Sequence, residues 1–356
     1  MRGTPRVGDE DRTMRQIREA DIRPPHLEAE ARRLAEADAR RLLLQRHEFV
    51  SVDCPACRSA DAVPQFEKGG FDFRECRRCG TLFISPRPTA ALLQVYYAEA
   101  EGAKFWNRHV FPASADIRRE RIFRPRLRLV ADVTVGRPVD TLVDVGAGFG
   151  WFAALCVEEG LARRVIAVEP NPELADSCRR TKAVEVIEAP IEECHDLLAA
   201  DVITCFELIE HLFDPFDLLR ACRQGLRRGG LFICTTPNWE GFDVALLRAR
   251  SDNVAGPRHL QLFTPRALRG LLERVGFGEV VISTPGQLDV DIFRNKIVGD
   301  IFGAAELPFF GRLIRDGSPE FRHDLQQLLQ RHGLSSNMMA VGRALAEGAP
   351  VARGDR

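Results

Sequence analysis

The segment VDTLVDVGAGFGWFAALCVEEG, residues 139–160, constrains this chain more than any other. TLVDV is short and apolar, as a buried strand should be; GAGFG turns sharply; WFAALCVEEG reads as a helix stopped by Gly160. A strand that enters a helix through a glycine turn begins a βαβ unit, and such units build parallel sheets. The pattern recurs through RVIAVEP, VEVIEA, DVITCFE and GLFICTTP, with helical stretches such as FDLLRACRQGL between them, so five strands arrive in series. The expected fold class is α/β.

The turn also carries chemistry. Gly146, Gly148 and Gly150 follow the first strand directly, where missing side chains let the backbone approach a ligand above the sheet. A dinucleotide fingerprint would want its third glycine at position 151, which is Trp151. Glu169 ends the second strand, placed to accept hydrogen bonds from ribose hydroxyls.

Ten cysteines divide by spacing. Cys54 and Cys57 form CPAC, and Cys76 and Cys79 form CRRC, the arrangement of a four-thiolate zinc site. Four protein ligands leave no position for water, so the expected zinc is structural and holds together a module too small to bury much core. Cys156, Cys178, Cys194, Cys205, Cys222 and Cys234 are scattered through apolar segments and read as small buried hydrophobes.

Charge and targeting narrow the class further. A formal net charge of −1 offers no general attraction to nucleic acid or an anionic membrane. The ribbon itself, residues 49–90, balances six basic against five acidic side chains before the thiolates are counted, a poor surface for phosphates. No apolar run is long enough to span a bilayer, and MRGTPRVGDEDRTMRQ has no secretory apolar core. A cytoplasmic protein with reduced thiols is expected.

The organisation follows in five parts: a charged helical segment over 1–48, the zinc ribbon over 49–90, a helical connector over 91–135, the main α/β domain over 136–346 with an insertion at about 286–335, and a tail over 347–356. Thr89 is a suitable N-cap for AALLQVYYAEA, and a second helix is expected from Ala115 to Asp132. Between residues 108 and 128 seven arginines face only Asp116 and Glu120, a solvated face or a hold for an anionic substrate. The insertion is apolar enough for a lid or a lipid-facing surface, though packing against the core is the simpler reading.

The segment FELIEHLFDP, residues 206–215, concentrates the remaining polar chemistry. A helix beginning at Phe206 would put Glu207, Glu210 and His211 at i, i+3 and i+4 on one face. Acidic residues in a first turn can simply favour the helix dipole. His211 can instead act as a general base, with Glu210 beside it, since imidazole titrates in the useful range.

Together LVDVGAGFGWF, the acid of VEPN, FELIEHLFDP, GGLFICTTPN and RHLQLFTPRALRGLLERVGF resemble the class I S-adenosylmethionine-dependent methyltransferases over about residues 139–284. The resemblance implies a Rossmann-like seven-stranded sheet, with SNMMAVGRAL as the last, antiparallel strand. It implies S-adenosylmethionine held by Asp144, Gly146, Ala147, Gly148, Gly150, Glu169, Glu192 and Glu207, with Tyr97 covering it. The ribbon resembles the N-terminal part of zinc-binding methyltransferases of bacterial polysaccharide and natural-product pathways, which implies a sugar, nucleotide-sugar, glycan or natural-product acceptor. Some of those enzymes, which methylate sugar carbon, carry a catalytic histidine at a place like that of His211; they usually also carry a long C-terminal domain, whereas only about fifty residues lie here between VVIST and SNMMAVGRAL. A second resemblance, to small-RNA 2′-O-methyltransferases and ubiquinone-pathway O-methyltransferases, implies that Glu207, Glu210, His211 and His259 could hold a divalent ion such as Mg²⁺. An RNA acceptor, and a scaffold that keeps the cofactor fold without turnover, complete the alternatives.

Overall fold

The computed structural model describes residues 17–299 and 307–346; the start of the charged N-terminal segment, the centre of the insertion and the expected tail lie outside the described residues. Eleven strands form two sheets among the described residues. β4 (Thr141–Val145), β5 (Arg164–Val168), β6 (Val184–Ile187), β7 (Ala200–Phe206), β8 (Leu226–Pro237), β10 (Phe277–Ser283) and β11 (Asn337–Ala344) make the larger, in the order β10-β11-β8-β7-β4-β5-β6. β4 to β8 pair in parallel, and β11 inserts antiparallel between β8 and β10. This is the expected seven-stranded α/β sheet, and SNMMAVGRAL supplies its antiparallel strand.

Every residue of β4 is buried, because helices cover both faces of a parallel sheet. The helix Trp151–Glu158 puts Phe152, Leu155 and Cys156 on one face of the sheet, together with Leu127 and Val130 from the connector. The helix Pro265–Arg274 covers the other face with Ala267, Leu268, Leu271 and Leu272. Each leucine so buried contributes about 2 kcal/mol. FTP reads out its start: Phe263 is buried, Thr264 Oγ1 accepts the Ala267 N–H at 3.1 Å, and Pro265 takes the first turn.

The smaller sheet is the ribbon, with β1 (Ala62–Lys68), β2 (Phe71–Cys76) and β3 (Leu82–Ile84) antiparallel. Its fourth strand, β9 (Gln261–Leu262), comes from the far end of the chain: Leu82 pairs with Leu262 and Phe83 with Gln261. Side chains reinforce that join. Thr264 Oγ1 donates to the Cys79 carbonyl at 2.8 Å, Arg274 Nη1 to the Ala56 carbonyl at 2.8 Å, and Arg58 pairs with Asp214 at 2.6 Å.

Thr89 caps Ala90–Glu99 as expected, accepting the Leu92 N–H. The helix expected from Ala115 to Asp132 is present and runs on to Thr134, with Ala115–Arg118 and Arg124–Thr134 α-helical and Arg119–Phe123 between them widened into a π-turn, Pro125 just beyond it. Pro125 has no N–H to continue an α-helical ladder from the preceding turn, so the helix widens here without ending. The described part of the insertion is helical and packs Val290, Phe293, Ile297, Ile314 and Leu329 into a core of its own with Leu247. No described helix is long and apolar enough to cross a membrane.

Arg87 is the largest fully buried side chain. Its Nε donates to the Ile84 carbonyl at 3.0 Å, and Nη1 donates to the Phe213 carbonyl at 3.1 Å and Gln261 Oε1 at 3.0 Å. Arg87→Ala should lower stability by about 3 kcal/mol, since it strands three buried acceptors, and chemical denaturation should read that loss. A change below about 1 kcal/mol would show that the bridge is dispensable.

Candidate active site

In an open parallel sheet, ligands bind beyond the strands' C-terminal ends where the strand order reverses. The chain steps outward from β4 to β5 and β6, then returns to the other side of β4 with β7, so that point lies beyond β4 and β7. The glycine turn and FELIEHLFDP both emerge there.

Gly146, Gly148 and Gly150 all have left-handed φ angles, of 68°, 57° and 73°. A Cβ on Gly146 would come within 2.7 Å of Leu208, so the turn and the loop after β7 touch. A Cβ on Gly148 would meet no protein atom within 4 Å, which makes this the cradle that a side chain would fill. Glu169 lies beside it, 6% exposed, with Oε2 accepting the Gly148 N–H at 2.8 Å and Oε1 the Asn171 N–H at 3.0 Å. Burial raises the Glu169 pKa against the pull of those two donors. Asp144 sits beneath the turn, buried in β4, accepting from Thr204 Oγ1 at 2.7 Å; burial pushes its pKa up to about 7. A carboxylate with hydroxyl-binding capacity beside an open glycine turn suits the ribose and amino-acid part of S-adenosylmethionine.

The remaining expected cofactor residues are dispersed. Glu192 is exposed in the turn Ile191–Glu193 after β6. The Tyr97 hydroxyl donates to the carbonyls of His211 and Arg258, both at 3.2 Å, so it steadies the loop after β7 rather than the glycine turn.

No helix begins at Phe206. Phe206 ends β7, Glu207 has a left-handed φ of 52°, Ile209–His211 form a single 3₁₀ turn, and the next helix, Pro215–Gly225, is capped by Asp214. Its dipole therefore acts on Asp214 instead of on the glutamates. The backbone twist at Glu207 sends its side chain one way and those of Glu210 and His211 another. Glu207 Oε1 accepts from Arg126 Nη2 at 2.6 Å, Thr235 Oγ1 at 2.7 Å and Asn337 Nδ2 at 2.9 Å.

Glu210, His211 and His259 do come together, each offering one ligand atom within 4.8 Å of the others. The imidazole rings meet edge to face at 4.9 Å. His211 Nδ1 lies 2.7 Å from the Arg258 carbonyl and His259 Nδ1 2.7 Å from that of Asn253. A carbonyl only accepts, so each Nδ1 carries the proton and each Nε2 keeps a free lone pair. Burial drives the His211 pKa down to about 4 and that of His259 well below the usual imidazole value. Burial, with Glu207 adding to it, drives the Glu210 carboxyl well up; Glu210 Oε2 accepts from Thr236 Oγ1 at 2.9 Å.

The sequence reading did not single out Asn337, Thr235 and Thr236, which lie in β8 and β11 and are polar where a buried strand is expected to be apolar. Nor did it single out Asp243, a buried acid just after β8 whose carboxylate oxygens meet no hydrogen-bond partner among the described residues. Burial and neighbouring Asp289 push its pKa well up.

The four ribbon thiols are buried, with Cys54 and Cys79 sulfurs 3.5 Å apart and Cys57 and Cys76 likewise. Hydrogen bonding from Cys54 pulls the Cys79 pKa down to about 4, and the same contact pushes that of Cys54 far up. Closely packed thiols cannot all ionise without a cation between them, so the donor set fits zinc.

Residues 114–281 match the family profile described as a methyltransferase domain. A Mycobacterium tuberculosis protein named as a probable S-adenosylmethionine-dependent methyltransferase is 32% identical over 145 residues, 40% of this chain and 50% of that one. A ubiquinone biosynthesis O-methyltransferase of Xanthomonas campestris is 32% identical over 140 residues, 36% of this chain and 56% of that one. The chain thus spans about half the length of the curated relatives it matches. Among solved structures, a methyltransferase of Archaeoglobus fulgidus is 20% identical with a TM-score of 0.41, covering 63% of this chain and 94% of that one. By its profile match, its relatives and its strand order, this chain carries an S-adenosylmethionine-dependent methyltransferase domain of the class I fold.

Proposed function

We propose that the protein is an active enzyme that moves the methyl group of S-adenosylmethionine to a small-molecule acceptor: a sugar, nucleotide-sugar, glycan or natural-product intermediate. The observation that carries this reading is the His211 tautomer. Its Nδ1–H is committed to the Arg258 carbonyl, which leaves the Nε2 lone pair available beside a loop that touches the glycine turn. Bound S-adenosylmethionine supplies an electrophilic methyl group. His211 Nε2 accepts the acceptor's proton as that group is attacked, while the Tyr97 hydroxyl is shared between the His211 carbonyl and the Arg258 carbonyl that holds Nδ1–H. Glu210 Oε1, 3.8 Å from Nε2, is placed to stabilise the imidazolium that results. The ribbon arginines speak for a small acceptor over RNA, since Arg58, Arg74 and Arg77 are engaged by Asp214, the Ala62 carbonyl and Asp61.

A second reading is favoured by the approach of the Glu210, His211 and His259 ligand atoms within 4.8 Å. Both Nδ1–H groups are held by carbonyls, the outer contacts that orient metal-binding imidazoles. Glu207 stands outside this set, in its own hydrogen-bonded cage. Two nitrogens and one carboxylate suit a transition metal better than Mg²⁺, which prefers oxygen.

His211→Ala should cut turnover by about 10² to 10⁴-fold with S-adenosylhomocysteine affinity unchanged. With its pKa depressed to about 4, His211 is already neutral at higher pH, so the rate–pH profile should lack an ascending imidazole limb near neutrality. A limb centred near pH 6.5 would contradict that buried base. Under the metal reading His259→Ala should abolish activity equally, and chelation followed by metal readdition should restore the wild type; under the base reading His259→Ala should leave most turnover.

Gly148→Val should weaken S-adenosylmethionine binding at least tenfold, because a branched side chain at a φ of 57° both fills the cradle and strains the turn. Calorimetry giving an unchanged affinity would displace the cofactor from this turn. We also assign one structural zinc to the ribbon. Elemental analysis should find one zinc per chain, and Cys76→Ser should lose it along with stability. A metal-free, fully folded protein would remove the assignment.

A further inference from the structure

The turn Ile209–His211 carries Glu210 and the candidate base, and the His211 N–H closes it onto the Leu208 carbonyl at 3.0 Å. A single turn fixes several backbone angles for little hydrogen bonding, so it needs support from outside. The carbonyls along it are met from elsewhere in the chain. Gln261 Nε2 donates to the Ile209 and Leu212 carbonyls, both at 2.9 Å, the Leu260 N–H to the Glu210 carbonyl at 2.9 Å, and the Tyr97 hydroxyl to the His211 carbonyl at 3.2 Å. The two bonds from Gln261 bracket Glu210 and His211, so one amide nitrogen holds both ends of the segment that bears them.

This amide has only one workable orientation. The Ile209 and Leu212 carbonyls only accept, whereas Arg87 Nη1, 3.0 Å from Gln261 Oε1, only donates. Both hydrogens of Nε2 are therefore committed to the turn, and the oxygen to the guanidinium. Gln261 and Arg87 are fully buried, and Gln261 pairs in register with Phe83 of β3, so the ribbon sheet sets its backbone. Packing alone does not call for a glutamine here. Methionine has nearly the same length, yet it would leave two buried carbonyls and a buried guanidinium without a partner.

The His211 ring depends on the same frame. Its Nδ1–H reaches the Arg258 carbonyl at 2.7 Å, so residues 258–261 hold the ring at one end and the turn that bears it at the other. A slip of the turn by about an ångström would take that bond beyond hydrogen-bonding range. We propose that Gln261 is a positioning residue for methyl transfer: its amide, oriented by Arg87, holds the turn so that the ring keeps Nδ1–H on the Arg258 carbonyl and Nε2 free for the acceptor's proton. The assignment rests on the reading of His211 as the base. Gln261 touches no reacting atom and acts through that ring.

The test reads the ring directly, in the full chain labelled with ¹⁵N-histidine. Two well-separated ring-nitrogen shifts identify a locked tautomer, and their convergence marks its loss; spectra of His211→Gln and His259→Gln assign the two rings. The wild type should show His211 locked with its proton on Nδ1. Gln261→Glu keeps an acceptor facing Arg87 but turns oxygen toward both carbonyls, and Gln261→Met removes donors and acceptor together. In each variant the His211 shifts should converge, while His259, whose Nδ1–H is held by the Asn253 carbonyl, should keep its pattern and report an intact fold. A glutamine that only filled the core would leave the His211 tautomer unchanged in both. If Gln261→Met does not fold, Gln261→Glu decides alone. An unchanged His211 pattern in a folded variant, or a wild type without the locked tautomer, would overturn the proposal. Calorimetry with S-adenosylhomocysteine keeps the two readings apart, since wild type and variants should bind it equally. A wild type that does not bind it would remove methyl transfer and the role of His211 with it; equal binding with an unchanged His211 pattern would strike Gln261 alone.

Discussion

The pairing of Leu82 with Leu262 and of Phe83 with Gln261 is only two residues long, yet much of the site is built on it. Gln261 follows His259 by two positions, so the ribbon's third strand fixes the backbone that aims this imidazole. The Gln261 side chain extends the hold: its amide nitrogen donates to the Ile209 and Leu212 carbonyls, both at 2.9 Å, and its oxygen accepts from Arg87. One glutamine thereby ties the ribbon, the His259 segment and the turn bearing His211 into a single buried network. Backbone carbonyls inside a core must find donors, and Gln261 and Arg87 supply them where no helix or sheet can. The ribbon thus acts as the back wall of the candidate site.

Electrostatics inside that wall follow from burial more than from pairing. Glu210 is 1% exposed and His259 9%, and with so little water the charged form of each is disfavoured, so acid and imidazoles are all driven toward neutrality. A neutral imidazole with one nitrogen tied to a carbonyl is both a base and a metal ligand, and the two proposed chemistries share this ground state. What separates them is whether a cation or an acceptor proton supplies the positive charge that would let Glu210 ionise. Glu207 is no ligand in that choice, since Arg126 already compensates it at 2.6 Å, but its charge adds to burial in holding the Glu210 carboxyl neutral.

The sheet was legible because its signals are local. TLVDV, RVIAV and DVITCF are apolar runs of strand length with glycine, proline or acid at their ends, and the CxxC pairs carry their geometry in their spacing. Proximity of Glu210, His211 and His259 was anticipated from resemblance, but the mechanism that achieves it was not. A helical face at i, i+3 and i+4 would have kept Glu207 with them, whereas the left-handed backbone at Glu207 separates it. A non-glycine residue in that conformation has no sequence signature, because the hydrogen bonds that hold it come from Arg126, Thr235 and Asn337, 81, 28 and 130 residues away. The arginine-rich connector was illegible for the same reason. Arg108, Arg119 and Arg124 find Glu173, Glu158 and Glu159 across the fold, and those partners lie outside any local window.

Exposed and buried cations in this chain are held in different ways. Surface pairs such as Arg124 with Glu159 are screened and contribute little, so a sequence can gain or lose them freely. Arg258 and Lys68 are different, because they bear their charge where water is scarce and where Asp252 is already shared by Lys296 and Arg23. Among the described residues neither has a carboxylate within ion-pair distance; Lys68 Nζ donates to the Ser251 carbonyl at 2.8 Å. Buried cations in this fold can be held by neutral acceptors alone: Arg87 is met by the Ile84 and Phe213 carbonyls and the Gln261 amide oxygen, and Lys68 by the Ser251 carbonyl, so inside the core the guanidinium and ammonium serve as donors to groups that no helix or sheet satisfies.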